Sequence, residues 1–342
     1  MFVVFILTVQ KRHTLLKEKG EVIMKLRNPD VRFETTNICN YACVMCPREL
    51  QFRKQGVMKF DLFKKVVDEL VSKGMKQATL VSFGEPLIDK GFTEKARYAK
   101  KAYGLYLYTI TTASLLNAKL AQELIDIGFD TVRISYYGTT PDIYEKVHRA
   151  NMFDQVEKNI NNLLELKEKS KSKTPKIEMY WLELDENKHQ TEDFKQRWQH
   201  RVDDISVWRP HNWSDARTYR ELFSEKSTCG RPFNGPVQVQ WNGDLVPCCW
   251  DYDNKIVLGN AYDNTIEEIL KGSEYERLRK AHSEKRFEEF PFCNTCDQLH
   301  QVEAEDALVY TTIPVSKVGR TNTNFYSLQD EAGKNAPESS PV

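Results

Sequence analysis

Between about residues 31 and 210, strand-like and helix-like runs alternate with a repeat of roughly 30 residues, the usual size of a strand–helix unit. The strand candidates are VRFETT (31–36), QATLVSF (77–83), LYLYTIT (105–111), TVRISYY (131–137), KIEMYWLEL (176–184) and DISVWRP (204–210). Each is rich in β-branched or aromatic residues, which suit a pleated surface. Between them, FDLFKKVVDELVSKG (60–74), AKLAQELIDIG (118–128) and MFDQVEKNINNLLELKEK (152–169) repeat apolar residues at helical spacing. Strands joined by helices run parallel. The region is therefore an α/β domain, either an open doubly wound sheet or most of a TIM-type barrel, and the repeat alone fits both.

After Pro210 the texture changes. PVQVQWNGDLVPCCW (236–250) alternates around Asn242-Gly243, a hairpin signal, because this pair tolerates the positive φ of a tight turn. TIEEILKGSEYERLRKAHSEK (265–285) reads as one or two helices, and CNTC (293–296) follows. These features predict a core at 24–210, a second, smaller α+β domain at 211–305 and a polar, disordered tail at 306–342. Residues 1–23 read as an extension ahead of Met24, with a helical cap or membrane-surface helix as the alternative. Their apolar run MFVVFILTV is too short to span a bilayer and lacks the flanks of a secretory signal. No membrane span is expected.

Lysines plus arginines number 49 and balance 49 acidic residues, so nothing in the charge points to nucleic acid as a partner. The eight cysteines are too sparse for a disulfide scaffold. They fall at 39, 43 and 46, at 229, 248 and 249, and at 293 and 296. Such clusters suggest metal ligation in a reducing, cytoplasmic compartment. Cys39, Cys43 and Cys46 sit where the first strand gives way to a loop, at the sheet edge where α/β active sites gather. Three thiolates can hold three irons of a [4Fe–4S] cluster and leave the fourth iron open. The rival is zinc held by the same three cysteines and a distant histidine, His148 or His211.

Cys39-x3-Cys43-x2-Cys46 directly after strand one resembles the signature of the radical S-adenosylmethionine (SAM) superfamily. That resemblance implies a partial TIM-type (β/α)6 barrel whose open iron is chelated by SAM. Reductive cleavage of SAM would give a 5′-deoxyadenosyl radical, the electron coming from an external donor such as flavodoxin or ferredoxin. SFGEP (82–86) resembles the motif that receives the SAM amino group, which implies roles for Gly84 and Glu85. Ser135 resembles the serine near the SAM ribose or carboxylate, and Arg149 a basic residue that pairs with that carboxylate. Relatives often read T-N-G-x-L after strand three, where Thr112 and Ala113 replace Asn and Gly here. Met45 precedes the third cysteine where an aromatic residue is usual, and the strand at 181–187 lies where adenine contacts occur. No catalytic acid or base is assigned.

Cys229-x13-Gly243-x4-Cys248 resembles the opening of the SPASM extension of such enzymes. No cysteine follows soon after Cys293-x2-Cys296, so the shorter twitch form, with one auxiliary [4Fe–4S] cluster, is the better match. The implied ligands are Cys229, Cys248, Cys293 and Cys296, with Cys249 spare; structural zinc is the alternative. Full cysteine ligation implies electron transfer rather than substrate binding. The second-set spacings (18, 44 and 2 intervening residues) are similar to those of a twitch-bearing dehydrogenase that oxidises an aminocyclitol alcohol to a ketone. The expected function is oxidation of a small polar substrate such as a sugar or aminocyclitol. Peptide or protein modification stands second, because only about thirty residues precede strand one, too few for a peptide-recognition domain. A non-catalytic cysteine–metal binding module stands third. Tyr136, Tyr137, Trp181, Trp208 and Trp213 are candidates to line the pocket.

Overall fold

The computed structural model describes residues 24–222, 225–300 and 307–313. The expected extension at 1–23 lies outside them. Six strands follow the predicted order: β1 (Asp30–Phe33), β2 (Gln77–Leu80), β3 (Tyr106–Thr111), β4 (Thr131–Ser135), β5 (Lys176–Leu182) and β6 (Asp204–Trp208). All pair in parallel with their sequence neighbours. The chain crosses between them through α1 (Phe60–Val71), α2 (Phe92–Tyr103), α3 (Ala118–Ile127), α4 (Pro141–His148), α5 (Phe153–Lys169) and α6 (Thr191–Trp198).

Alternation along each strand sorts its side chains. Val31 and Phe33, Ala78 and Leu80, Val132 and Ile134, and Ile177, Met179 and Trp181 join the apolar core. Arg32, Thr79, Tyr108, Arg133, Tyr180 and Trp208 point the other way and line one cavity. In a flat sheet the five strand spacings from β1 to β6 would hold Arg32 and Trp208 about 24 Å apart. Lining one cavity requires a curled sheet, and that distinguishes a partial barrel from an open doubly wound sheet. The polar interior is internally bonded: Thr79 Oγ1 donates to Asp30 Oδ1 at 2.6 Å, Gln77 Nε2 to Thr79 Oγ1 at 3.0 Å, and Arg133 Nη2 lies 3.0 Å from Glu178.

The second half extends this sheet. β7 (Val237–Val239), β8 (Asp244–Val246) and β9 (Gly259–Asn260) follow, with β7 parallel to β1 and antiparallel to β8, and β8 antiparallel to β9. Gly243 turns the expected hairpin at φ +89°. The helices expected at 265–285 are α8 (Ile266–Lys271) and α9 (Ser273–Ser283), preceded by the single turn α7 (Arg231–Asn234) and followed by another, α10 (Pro291–Asn294). A Thr265–Glu268 capping box starts α8. The expectation of a disordered tail from 306 needs correction at its start. Leu308–Thr311 is strand β10, antiparallel to β6, because its backbone completes hydrogen bonds along an edge otherwise left open. The ten strands form one sheet in the order β10-β6-β5-β4-β3-β2-β1-β7-β8-β9.

Candidate active site

At the carboxyl ends of the barrel strands, a cavity of about 360 Å³ lies between the loop after β1 and the second domain. Cys39, Cys43 and Cys46 all line it. They stand on an irregular loop held from several sides. Cys46 N–H bonds Cys43 O at 3.1 Å, Val44 N–H bonds Val147 O at 3.0 Å beside the end of α4, and the Tyr41 and Tyr144 hydroxyls meet at 3.1 Å. Arg217, from the segment after β6, donates to Val44 O at 3.2 Å and to Cys46 O, and pairs with Glu49 at 2.7 Å.

The donor set suits a cationic cluster. Burial raises the pKa of all three thiols, and Cys43 is raised further by Cys46 and Cys39; Cys46 is pushed up to about 12. Arg48 and Arg217 oppose that shift at Cys46. Buried thiols crowded together are costly to ionise, even with arginines near, unless a metal centre shares their charge. Among the described residues, no three His, Cys, Asp or Glu side chains converge as ligands of a single ion would. A cubane gives each thiolate its own iron and accepts a wider spacing. Nor do the histidines complete a zinc site. The His148 ring accepts the Tyr137 N–H at Nε2 (3.2 Å) and faces Cys43 Sγ with Nδ1 (3.3 Å). Both ring nitrogens of His211 face N–H donors, Trp250 Nε1 at 2.7 Å and Trp213 N at 3.2 Å.

Gly84 and Glu85 line the cavity beside the cysteines. Gly84 is a packing requirement: a Cβ there would lie 2.1 Å from Thr36 O and 2.8 Å from Ile38 O, the backbone leading into Cys39. Glu85 N–H then bonds Ile38 O at 3.0 Å. The buried Glu85 carboxylate accepts from Thr111 Oγ1 (2.6 Å), Thr112 N (2.9 Å), Thr112 Oγ1 (3.0 Å) and Leu87 N (3.3 Å). Its pKa is raised by burial, against these bonds. These bonds fasten the β2 loop to the end of β3, a role the sequence did not suggest for Glu85. Ala113 takes the left-handed conformation at φ +63°, with Asn159 Nδ2 donating to its carbonyl at 2.8 Å.

Ser135 and Met45 line the cavity. Arg149 does not: it is exposed at the left-handed C-cap of α4 (φ +52°), and its neighbour His148 turns inward. Of the five candidate aromatics, Tyr137, Trp208 and Trp213 line the cavity. Tyr136 and Trp181 are core, Trp181 packing on Phe194 at 5.0 Å.

In the second domain, Cys229 precedes α7, Cys248 follows β8, Cys293 lies in α10, and Cys296 N–H bonds Cys293 O at 2.9 Å. Burial raises all four thiols, Cys248 to about 12, and each of Cys293 and Cys296 is raised further by both Cys229 and Cys248. The buried Arg231 acts the other way on Cys229 and Cys248. These four thiols thus share one environment suited to a second cluster. Cys249 lines the first cavity instead, with Trp250 beside it under the Arg231 guanidinium, 4.3 Å from its ring centre. The chain beside Cys248 therefore reaches the cavity itself.

Sequence reasoning missed Arg217 and the cavity arginines Arg32 and Arg133; it named His148 beside the cysteines only as a zinc ligand, whereas the ring faces Cys43 Sγ directly. The arginines had a signal. In V-R-F and V-R-I a charge sits between apolar residues of a strand, the pattern of a polar barrel interior.

Residues 33–177 match the radical SAM superfamily, and residues 229–297 match the SPASM family, an iron–sulfur cluster-binding domain. Among curated proteins, the chain is 29% identical to GTP 3′,8-cyclase of Heliobacterium modesticaldum, over 37% of this chain and 39% of that protein. It is 33% identical to PqqA peptide cyclase of Rhodopseudomonas palustris, over 39% of this chain and 35% of that protein. The chain thus spans less than half the length of these curated relatives. The fold is similar to that of BtrN in complex with AdoMet and 2-DOIA (TM-score 0.55, 17% identity, 80% of this chain and 94% of that one). It is also similar to Streptococcus suis SuiB bound to precursor peptide SuiA (TM-score 0.59, 12% identity, 86% and 74%).

Proposed function

We propose that this chain, a radical SAM enzyme with a SPASM-type auxiliary-cluster domain, dehydrogenates a small polar molecule such as a sugar or aminocyclitol. The observation that carries the reading is that Cys249 and Trp250, next to Cys248, line the same cavity as Cys39, Cys43 and Cys46. A substrate held there lies beside both thiolate sets, so an electron it releases has a short path to the second.

Cys39, Cys43 and Cys46 would hold the cluster that chelates SAM, and Cys229, Cys248, Cys293 and Cys296 the auxiliary one. The bound cofactor supplies reductive cleavage of SAM to a carbon radical. The net reaction would remove from an alcohol one hydrogen atom at carbon, one hydroxyl proton and one electron, leaving a ketone; Cys229, Cys248, Cys293 and Cys296 would hold the group that accepts that electron. The protein binds and orients. Arg32 and Arg133, each beside a carboxylate, offer polar contacts on the cavity wall, while Tyr180, Trp208 and Trp213 shield the site from water. The cavity volume is within the range of small-molecule sites. We place SAM near Gly84 and Ser135; the Glu85 carboxylate acts on that site by fixing the loop, and we assign Arg149 no contact. Among the described residues no helix is long and apolar enough to cross a membrane. We place the enzyme in the cytoplasm, with a flavodoxin or ferredoxin as its donor.

A second reading, peptide modification, draws on the likeness to PqqA peptide cyclase and to the fold of SuiB. Anaerobic reconstitution with iron and sulfide separates the enzyme reading from a cysteine–zinc module: about eight irons per chain are expected for two [4Fe–4S] clusters. Cys293→Ala should then still cleave SAM but form no ketone. Normal product yield from that variant would remove the electron-acceptor role. Deuterium carried from a deuterated aminocyclitol into 5′-deoxyadenosine supports the small-molecule reading. Transfer only from a peptide supports the second.

A further inference from the structure

His148 is fully buried, stacked between Tyr137 (ring centres 4.9 Å apart, 4° between planes) and Tyr144 (4.2 Å, 28°), with Tyr41 edge-on at 5.4 Å. Three rings fix its orientation, and the Val44–Val147 backbone bond keeps Cys43 beside it. The Tyr137 backbone N–H can only donate, so Nε2, 3.2 Å away, accepts. A neutral imidazole carries one N–H, which is then on Nδ1, 3.3 Å from Cys43 Sγ.

We infer that His148 donates an Nδ1–H···Sγ hydrogen bond to Cys43 and thereby raises the reduction potential of the cluster held by Cys39, Cys43 and Cys46. The inference rests on the reading that these three thiolates hold a cluster. An N–H directed at a ligating sulfur stabilises the form with more negative charge, here the reduced cluster, and hydrogen bonds to the sulfurs are among the factors that set such potentials. Bonds to a charged partner are stronger than those to a neutral one. His148 is thus a positioning residue that makes the first electron easier to accept, not a catalytic one.

The test is His148→Phe, which keeps an aromatic ring between Tyr137 and Tyr144 and removes the N–H. Iron and sulfide are measured first. A wild type without a cluster refutes the underlying reading, independently of His148. With both clusters present, an EPR-monitored redox titration follows the signal that changes on adding SAM, which belongs to the first cluster. The equilibrium constant for its reduction should fall at least tenfold, a potential about 59 mV lower for one electron, with the second cluster unmoved. An unchanged potential at full iron content overturns the inference. Should the variant lose iron, pulsed EPR of the reduced wild type labelled with 15N-histidine decides. Coupling between the first cluster and a labelled ring supports the bond, and its absence overturns it.

Discussion

Replacing Gly84 with alanine tests how closely the loop after β2 and the cysteine loop are packed. The added Cβ would sit 2.1 Å from Thr36 O, 2.7 Å from Thr36 C and 2.8 Å from Ile38 O. Close carbon–oxygen contacts in proteins run at about 3.3 Å, so the nearest overlap exceeds an ångström. All three neighbours are backbone, and no rotamer change relieves them. Overpacking of this kind costs about 1–3 kcal/mol, and losing the Glu85 N–H to Ile38 O bond adds about 1 kcal/mol. A strain of about 2–4 kcal/mol is more than a loop tethered by single hydrogen bonds withstands, so residues 36–38 shift and carry Cys39 out of register. After anaerobic reconstitution, Gly84→Ala should hold about four irons instead of about eight and lose SAM cleavage, while the second cluster keeps its spectrum. Gly104→Ala is the control. It imposes a left-handed φ of +66° on alanine with no atom within 4 Å, so it costs about 1 kcal/mol and spares both clusters. Full iron and normal SAM cleavage in Gly84→Ala would refute the packing argument.

Three other outcomes follow from buried groups elsewhere. His282 is buried, and its pKa is lowered by burial to about 4; the unfolded chain takes that proton near pH 6.5, so stability should fall as pH drops from 6.5 to 4, by up to about 3 kcal/mol. Urea unfolding across that range should show a smaller loss in His282→Gln, and parallel curves for the two proteins would dismiss the effect. Ala113→Gly should raise stability by up to about 1 kcal/mol, because glycine accepts φ +63° freely, and an unchanged midpoint in urea would deny the strain. Arg53 pairs with the buried Glu34 and donates to Tyr252 O at 3.0 Å, so Arg53→Met leaves a buried carboxylate without its cation and should cost about 3–5 kcal/mol. A loss below 1 kcal/mol in the same urea assay would show that Glu34 needs no partner.

The strand–helix order was legible because each strand's apolar face and each helix's stripe obey local periodicity. Except for β3, which ends at Thr111 as predicted, the predicted strands ran too long at their carboxyl ends. Residues such as Glu34, Thr35, Val81 and Ser82 keep strand-like character but leave the ladder to form the site loops. Helices α2, α4 and α6 were not singled out, although Pro141 suits the first turn of α4. The two cysteine sets announced themselves by spacing. What spacing could not supply is direction. At neighbouring positions 148 and 149, a histidine and an arginine were both read as inward candidates, and the left-handed turn at Arg149 sends only the histidine inward. Nor could it show that the Glu85 carboxylate would be taken up by Thr111, Thr112 and Leu87, since those partners lie on another strand and its following loop as well as on its own turn.

The places of β7 and β10 in the sheet bear on how this protein can be divided. A row of six parallel strands has two raw borders, β1 and β6, each a template on which a foreign strand could grow. The second domain supplies the cover for one border and Leu308–Thr311 the cover for the other. Cutting the gene after the barrel would therefore uncover both at once and remove the second-domain part of a shared core, so an excised 24–210 fragment should aggregate. The segment that closes β6 lies beyond the last cysteine, so the shortest expressible unit runs past CNTC to at least Thr311.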